Sequence, residues 1–293
     1  MNSPQTEIRI DVMIAGAQKA GTSSLLGYLA QHPEILAHET AELDFFVNDE
    51  AFENLCMAKY FSRAPEAGEV VLAKSATVMH TPVALSRLHE HNPDCKIIIV
   101  LRNPVDRAYS SFRWARSNGL EDLLAFEDAV WKGIERFSDA RRRRNCDYLA
   151  TGLYAKWLGE IYRRFPRDQI SILLLEDLRK SPKNVCRELH EFIGVDPDFK
   201  TDVTRVWNPA SEPRSRLVQR VVRSRTSAKS AAAALLPRNA RKALGRKIEE
   251  INTRRVSARP IASETRAKLV EYYSLPNREL EELIGRRLEH WND

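Results

Sequence analysis

The chain has 293 residues, of which 43% are hydrophobic, enough for one large α/β domain or two small ones. It lacks an N-terminal basic stretch followed by an apolar core, and its fully apolar runs are too short for a membrane span, so we expect a soluble, cytoplasmic protein that is not exported. The net charge is +6, but residues 205–259 hold fifteen Lys and Arg against three Glu, which leaves the remainder of the chain with a net charge of −6.

Short apolar runs alternate along the chain with helical patterns. The predicted strands are Ile10–Ala15, Val70–Ala73, Ile97–Leu101 and Ile170–Leu175. The predicted helices are Thr22–Gln31, Pro82–His91, Pro104–Ser117, Tyr154–Phe165, Pro182–Ile193 and Ser263–Leu288. Strands that are apolar at every position are typical of parallel sheets buried on both faces. The pattern therefore predicts a doubly wound α/β fold, as a single domain over residues 1–293 with a basic helical insertion at 217–259.

The first predicted strand runs into a glycine-rich loop, GAQKAGTSS at residues 16–24. Gly16 and Gly21 have the spacing of the glycines in the common nucleotide-triphosphate loop, in which Lys follows the second glycine directly. Here two hydroxyl residues follow it, and the lysine, Lys19, lies inside the loop. Backbone N–H groups and hydroxyls at the start of a helix bind anionic oxygens. The loop therefore predicts a phosphate site for a donor that need not be ATP.

The third predicted strand ends at Leu101, and Arg102 follows it. A buried arginine is costly unless an anion meets it, and ligands of open α/β sheets bind at this end of the strands. Ser110 lies about two turns along the next helix, so Arg102 and Ser110 could share a phosphate. Two phosphate sites predict a nucleotide that is phosphorylated at both ends.

These segments resemble those of sulfotransferases that use 3'-phosphoadenosine 5'-phosphosulfate (PAPS). Residues 16–24 resemble the 5'-phosphosulfate loop, and residues 101–110 resemble the 3'-phosphate element. The resemblance is closest to bacterial members related to the heparan-type and Golgi-type branch. It implies a P-loop-like fold, no metal, PAP as product, and sulfuryl transfer to a hydroxyl or amine of a glycan, lipid or small molecule. The nucleotide ligands that it implies are Lys19, Ala20, Gly21, Thr22, Ser23, Ser24, Arg102, Ser110 and, in a late loop, Arg214.

The segment HPEILAHETAELDFF, residues 32–46, resembles the part of the family that supplies the catalytic base. Glu42 occupies the place of that glutamate, with Glu39, Asp44 and His80 as alternatives. The segment departs from the family pattern at two positions, because Ala41 stands where Lys is common and Asp44 where that branch often has His.

Two lysines complete the predicted chemistry. Lys74 resembles an active-site lysine of the family, with an exposed surface lysine as the alternative interpretation. In the implied in-line displacement, Glu42 takes the proton of the acceptor and Lys19 stabilises the charge on the leaving oxygen. The seven histidines show no metal-binding spacing, and we expect each of them at the surface or in a loop.

More than one role is possible for the basic segment 217–259, and more than one function for the protein. The segment could be a lid, an acceptor-binding arm, a helix that contacts a membrane surface or a polyanion, or a mobile cap without a partner. No nucleic-acid partner is expected. A P-loop kinase would need a lysine after Gly21 and a metal-holding acid at a strand end, where this chain has Arg102. A non-catalytic protein that binds an anionic glycan is the other alternative.

Overall fold

In the computed structural model the described residues are 8–54, 56–204, 212–213, 253–254 and 260–292. They divide into two compact units, the first within residues 1–107, 150–207 and 267–293 and the second within residues 108–149 and 208–266. The single domain over residues 1–293 therefore stays a prediction. The insertion at 217–259 falls outside the described residues, except for residues 253–254.

The first unit is built on a parallel five-stranded sheet in the order β2-β3-β1-β4-β5. Its strands are β1 Val12–Gly16, β2 Ile35–Ala37, β3 Val70–Lys74, β4 Lys96–Leu101 and β5 Ile170–Leu174. Strand β1 lies at the centre of the sheet, with β2 and β3 on one side and β4 and β5 on the other. All five residues of β1 are buried, because helices cover both faces of the sheet. The structure confirms the doubly wound α/β fold.

Helices fill the connections between the strands. They are α1 Thr22–Leu29, α2 Asp49–Asn54, α3 Pro82–His91, α4 Pro104–Ser117, α5 Phe126–Trp131, α6 Ala140–Cys146, α7 Tyr154–Tyr162, α8 Leu175–Lys180, α9 Pro182–Ile193 and α10 Ser263–Ile284. Proline opens α3, α4 and α9, where its missing N–H costs no hydrogen bond. None of the described helices combines the length and the apolar character that a membrane span needs.

The second unit has a small buried polar network of its own. The carboxylate of Glu121 is buried and accepts two hydrogen bonds from Arg136, at 2.8 and 2.6 Å, and one from Tyr148 Oη at 2.9 Å. Burial acts to raise the pKa of Glu121, but these bonds and a further one from the N–H of Leu123 together lower it. A short antiparallel pair, β6 Glu212–Pro213 and β7 Thr253–Arg254, also belongs to this unit.

Three histidines are buried, and one of them, His190, lies within α9, which corrects the expectation that each lies at the surface or in a loop. His32, His38 and His190 are 2%, 5% and 0% exposed. Neither ring nitrogen of His190 has a hydrogen-bond partner among the described residues. The ring packs against His32 and Phe199 at centroid distances of 4.8 and 6.1 Å. Burial lowers the pKa of His190 to about 4, and the neighbouring His32 acts in the same direction.

We expect the protein to lose stability as the pH falls from about 6.5 to about 4. Burial lowers the pKa of His38 to about 4, as it does for His190, whereas both residues titrate near 6.5 when unfolded. Between these values the unfolded chain binds more protons, so each histidine removes up to about 3 kcal/mol of the free energy of unfolding. Urea unfolding at pH 7.5 and 4.5 measures the loss. His190→Phe should reduce the loss, and an equal loss in this variant would contradict the assignment.

Candidate active site

The loop after β1 is fastened to the neighbouring strand β4. The N–H of Ala17 donates to the carbonyl of Val100 at 2.7 Å. Beyond the end of β4, Arg102 Nη1 donates to the carbonyl of Lys19 at 3.1 Å. Lys19 has a φ of +69°, in the left-handed region that side chains other than glycine rarely adopt. The loop is thus held in an unusual local conformation by contacts from β4.

The end of this loop exposes backbone donors at the start of α1. The N–H groups of Gly21, Thr22 and Ser23 have no hydrogen-bond partner within the part of the chain that the structure describes. The Gly21 carbonyl accepts from the N–H groups of Ser24 and Leu25, at 3.0 and 3.1 Å, and so begins the helix. Unpartnered N–H groups and the positive end of the helix dipole favour an anion at this position.

Gly21 has a conformation and surroundings that only glycine fits. Its φ is +93°, and a Cβ there would lie 2.8 Å from Leu175 Cδ1 and 3.6 Å from Leu178 Cδ2. Helix α8 therefore packs directly against the loop.

We expect Gly21→Ala to destabilise the protein more than Gly68→Ala. Gly68 also has a positive φ, +87°, but nothing lies within 4 Å of its Cβ position. The left-handed conformation costs each variant about 1–3 kcal/mol. In Gly21→Ala alone the Leu175 side chain must also shift, which adds a smaller further loss. Urea unfolding of both variants measures the difference, and equal losses would contradict the close packing.

Lys74 joins the loop to the segment that carries Glu42. It ends β3 and is only 1% exposed. Its Nζ lies 2.8 Å from Glu42 Oε1 and donates to Ser23 Oγ at 3.2 Å. The interpretation of Lys74 as an exposed surface residue is therefore wrong. A buried ammonium needs a partner, and here the partner is a carboxylate.

Glu42 is held in one orientation and still reaches solvent. Its second oxygen, Oε2, accepts from the N–H of Ala76 at 2.9 Å, and 39% of its side chain is exposed. Phe46, four residues on, is fully buried and packs edge-to-face with Phe45 at 5.3 Å, which anchors the segment. Each carboxylate oxygen has two acceptor positions, so both retain room for a further hydrogen bond.

The alternatives to Glu42 differ from it in their surroundings. Glu39 and Asp44 are exposed, and neither forms an ion pair with Lys74. His80 is half-buried, with its ring centroid 6.2 Å from that of Trp157. Of the four candidates for the base, the structure joins Glu42 to Lys74 and, through it, to the loop.

Arg102 retains donors for an anion. Apart from its bond to the Lys19 carbonyl, its guanidinium has no hydrogen-bond partner among the described residues, although Asp106 interacts with it electrostatically. Burial lowers the pKa of Arg102, and the nearby guanidinium of Arg179 acts in the same direction. The backbone carbonyl of Arg102 accepts from Tyr154 Oη at 2.8 Å, which fixes the turn after β4.

For the other predicted nucleotide ligands the structure gives burial or position, and for one of them neither. Ala20, Thr22 and Ser24 are buried in the loop, at 0%, 5% and 9% exposure. Ser110 is half-buried on α4, in the second unit. Arg214 lies outside the described residues.

Sequence reasoning missed two contributors to the site. The N–H of Ala76 binds Glu42, but a backbone donor leaves no mark in a sequence. Arg179 lies on α8 and is close enough to Arg102 to act on the pKa of that residue. It is exposed and forms no ion pair with the described residues. Arg179 follows the predicted strand Ile170–Leu175 by four residues, and a cation so close to a strand end was a signal that could have identified it.

Most of the chain is similar in sequence to known proteins. A family model described as "Sulfotransferase domain" matches residues 9–232. The "Bifunctional heparan sulfate N-deacetylase/N-sulfotransferase 1" of Caenorhabditis briggsae is 27% identical over 224 residues, which are 71% of this chain and 25% of that protein. The human "Heparan sulfate glucosamine 3-O-sulfotransferase 6" is 31% identical over 189 residues, 62% of this chain and 52% of that protein. The chain thus spans about a quarter of the first relative and about half of the second.

A solved structure shares the fold over nearly the whole length. The sulfotransferase from Alicyclobacillus acidocaldarius has a TM-score of 0.69 and is 24% identical. The match covers 97% of this chain and 99% of that one. The likeness shows that the two chains have the same fold.

Proposed function

This chain belongs to the sulfotransferase family, and we propose that it transfers a sulfuryl group from PAPS to a hydroxyl or amine of an acceptor. The observation that carries the proposal is the buried Lys74, which bridges Ser23 of the anion-binding loop and the half-exposed Glu42. The arrangement puts a carboxylate, a cation and a set of backbone donors next to one another. The donors and the cation can stabilise the charge that develops in an in-line transfer, and the carboxylate can take a proton.

The residues present fit a nucleotide that carries charge at both ends. The unpartnered N–H groups of Gly21, Thr22 and Ser23, with the surrounding residues 19–24, would hold the 5'-phosphosulfate. Arg102, which retains guanidinium donors, would bind the 3'-phosphate, together with Ser110 and Arg214. PAPS would supply the activated sulfuryl group, and PAP would be the product.

The chain's own residues perform three tasks in the proposed reaction. Glu42 takes the proton from the attacking acceptor atom, for which both its oxygens retain an acceptor position. Lys74 holds that carboxylate toward the loop. Lys19 stabilises the negative charge that develops on the bridging oxygen as the S–O bond breaks. Catalysis then rests on positioning and charge stabilisation, without a covalent intermediate on the protein.

The acceptor class follows from the relatives as a proposal. The human relative is named as a heparan sulfate 3-O-sulfotransferase and the nematode relative as an N-sulfotransferase. A glycan hydroxyl or amine is therefore the first acceptor to test, followed by lipid and small-molecule acceptors. The basic segment 217–259 would contact a polyanionic acceptor or a membrane surface. The cytoplasmic location, the bacterial origin and the metal-free reaction also stay predictions.

Calorimetry separates the proposed function from its two alternatives. Binding of PAP without magnesium, and no binding of ATP, supports sulfuryl transfer. Magnesium-dependent ATP binding would instead identify a P-loop kinase, and binding of a heparin-like glycan without either nucleotide a glycan-binding protein. Incubation with ³⁵S-labelled PAPS and a heparan-type acceptor then tests the transfer itself.

A further inference from the structure

The peptide group that follows Glu42 is fixed on both sides. Its carbonyl oxygen, that of Glu42, accepts from Thr40 Oγ1 at 2.7 Å. Its N–H, that of Leu43, donates to the carbonyl of Lys74 at 2.8 Å. The Leu43 side chain is fully buried. A peptide group held at both its donor and its acceptor cannot rotate without breaking a bond, so these two contacts fix the backbone from which the Glu42 side chain extends.

A buried histidine orients the hydroxyl that makes the first of these contacts. His38 Nδ1 lies 3.0 Å from Thr40 Oγ1. The single hydroxyl proton of Thr40 goes to the Glu42 carbonyl, so the hydroxyl oxygen must accept from His38. His38 therefore carries its proton on Nδ1. Its other nitrogen, Nε2, is buried and has no hydrogen-bond partner among the described residues, as fits an unprotonated nitrogen.

The backbone around His38 is anchored to the sheet. Strand β2 ends at Ala37, which pairs with Leu72 of β3. The N–H of His38 donates to the Leu72 carbonyl at 3.3 Å, and the N–H of Glu39 donates to the carbonyl of Tyr60 at 2.9 Å. The imidazole thus starts from a fixed point next to the strand that carries Lys74.

We propose that His38 and Thr40 are positioning residues that aim the Glu42 carboxylate at Lys74 and at the acceptor. The relay runs from the His38 Nδ1–H to Thr40 Oγ1 and from the Thr40 O–H to the Glu42 carbonyl. It requires a proton on His38 Nδ1, which in the neutral imidazole means one defined tautomer. Burial and the nearby Lys74 cation lower the pKa of His38 to about 4, which keeps the ring neutral above pH 5. The inference rests on the proposed function of Glu42.

Thr40→Val tests the relay in the intact chain. Loss of the hydroxyl should lower kcat by about 10-fold, the effect of one hydrogen bond, and change the Kd for PAP by less than about 2-fold. Thr40→Ser, which keeps the hydroxyl, should restore kcat. Thr81→Val is a matched control, because Thr81 Oγ1 also donates to a backbone carbonyl at 2.7 Å, that of Thr77. Wild-type kcat in Thr40→Val, or an equal loss in Thr81→Val, would overturn the proposal.

His38 variants test the other half of the relay. Asparagine can place an amide N–H near the position of Nδ1, whereas leucine cannot. We therefore expect His38→Asn to retain more kcat than His38→Leu, at equal affinity for PAP. Equal kcat in both folded variants would argue against a hydrogen bond from this position.

A spectroscopic measurement shows, without substrate, which nitrogen of His38 carries the proton. In ¹⁵N NMR of the imidazoles at pH 7, His38 should show a proton on Nδ1 and none on Nε2, and it should stay neutral at pH 5. Amide exchange at Leu43 should become faster in Thr40→Val than in the wild type. A His38 Nδ1 without a proton in the wild type would overturn the relay. Absence of sulfate transfer by the wild type would reject the proposed function while these two readouts still judge the relay.

Discussion

Glu42→Gln is expected to lower kcat by about 10²- to 10⁴-fold, because the amide cannot take the proton of the acceptor. The glutamine keeps an oxygen that can accept from Lys74 Nζ, now 2.8 Å from Glu42 Oε1. Glu42→Ala would leave the buried ammonium of Lys74 without this acceptor, so Glu42→Gln should destabilise the protein less than Glu42→Ala. The affinity for PAP should change little. Steady-state kinetics with PAPS and calorimetry with PAP measure the two quantities.

Two neighbouring carboxylates serve as controls for this variant. Glu39→Gln and Asp44→Asn make the same chemical change at exposed positions that are not joined to Lys74. Both should keep kcat within about 2-fold of the wild type, as surface substitutions usually perturb little. A folded Glu42→Gln protein with wild-type turnover would reject Glu42 as the base, and a large loss in only one of the controls would identify that residue instead.

Lys19→Ala is expected to lower kcat by about 10²- to 10³-fold, or roughly 2.7–4 kcal/mol of transition-state stabilisation. The reason is that charge on the bridging oxygen grows as the S–O bond breaks, and the ammonium interacts with it more strongly in the transition state than in the ground state. The Cβ atom is retained, so the strained backbone at φ +69° is the same in both proteins. Single-turnover kinetics with saturating PAPS measures this step.

Lys19→Met is the matched variant, because it keeps the length of the side chain and removes only the charge. It should lose as much turnover as Lys19→Ala. If Lys19→Met kept wild-type turnover, the contribution of this residue would be packing and the assignment of charge stabilisation would be wrong. Lys59→Ala, at an exposed position in a short 3₁₀ turn, measures the effect of lowering the net charge by one.

The main elements of the fold could be predicted because buried parallel strands are apolar at every position. Strand β2, Ile35–Ala37, escaped the prediction since three residues are too few to show a pattern. The predicted strand Ile170–Leu175 extends one residue too far, because Leu175 opens α8 within an unbroken run of leucines. Helix ends were also too long: α10 stops at Ile284, whereas the prediction extended to Leu288.

Some residues of the candidate site could be predicted from local sequence patterns, and others depend on contacts between distant segments. The loop and Arg102 were predictable, because each is a local pattern at the end of a strand. The contacts of Lys74 join it to residues 51 and 32 positions away, Ser23 and Glu42, and they depend on the pairing of β3 with β1. From hydropathy alone, a single lysine at a strand end such as Lys74 can be either a buried active-site residue or an exposed surface residue. The burial of His38 was missed for the same reason, because the contacts that bury it come from distant parts of the chain.

The pairing of Lys74 with Ile14 constrains how this chain can change over evolution. Residues Val70 to Ala73 are apolar on both faces of β3, so a shift of one residue in this strand would leave an almost equally hydrophobic pattern in the core. The same shift would turn the ammonium to the opposite face of the sheet, away from Glu42. Insertions and deletions within β3 should therefore abolish activity at positions where the core itself would tolerate them.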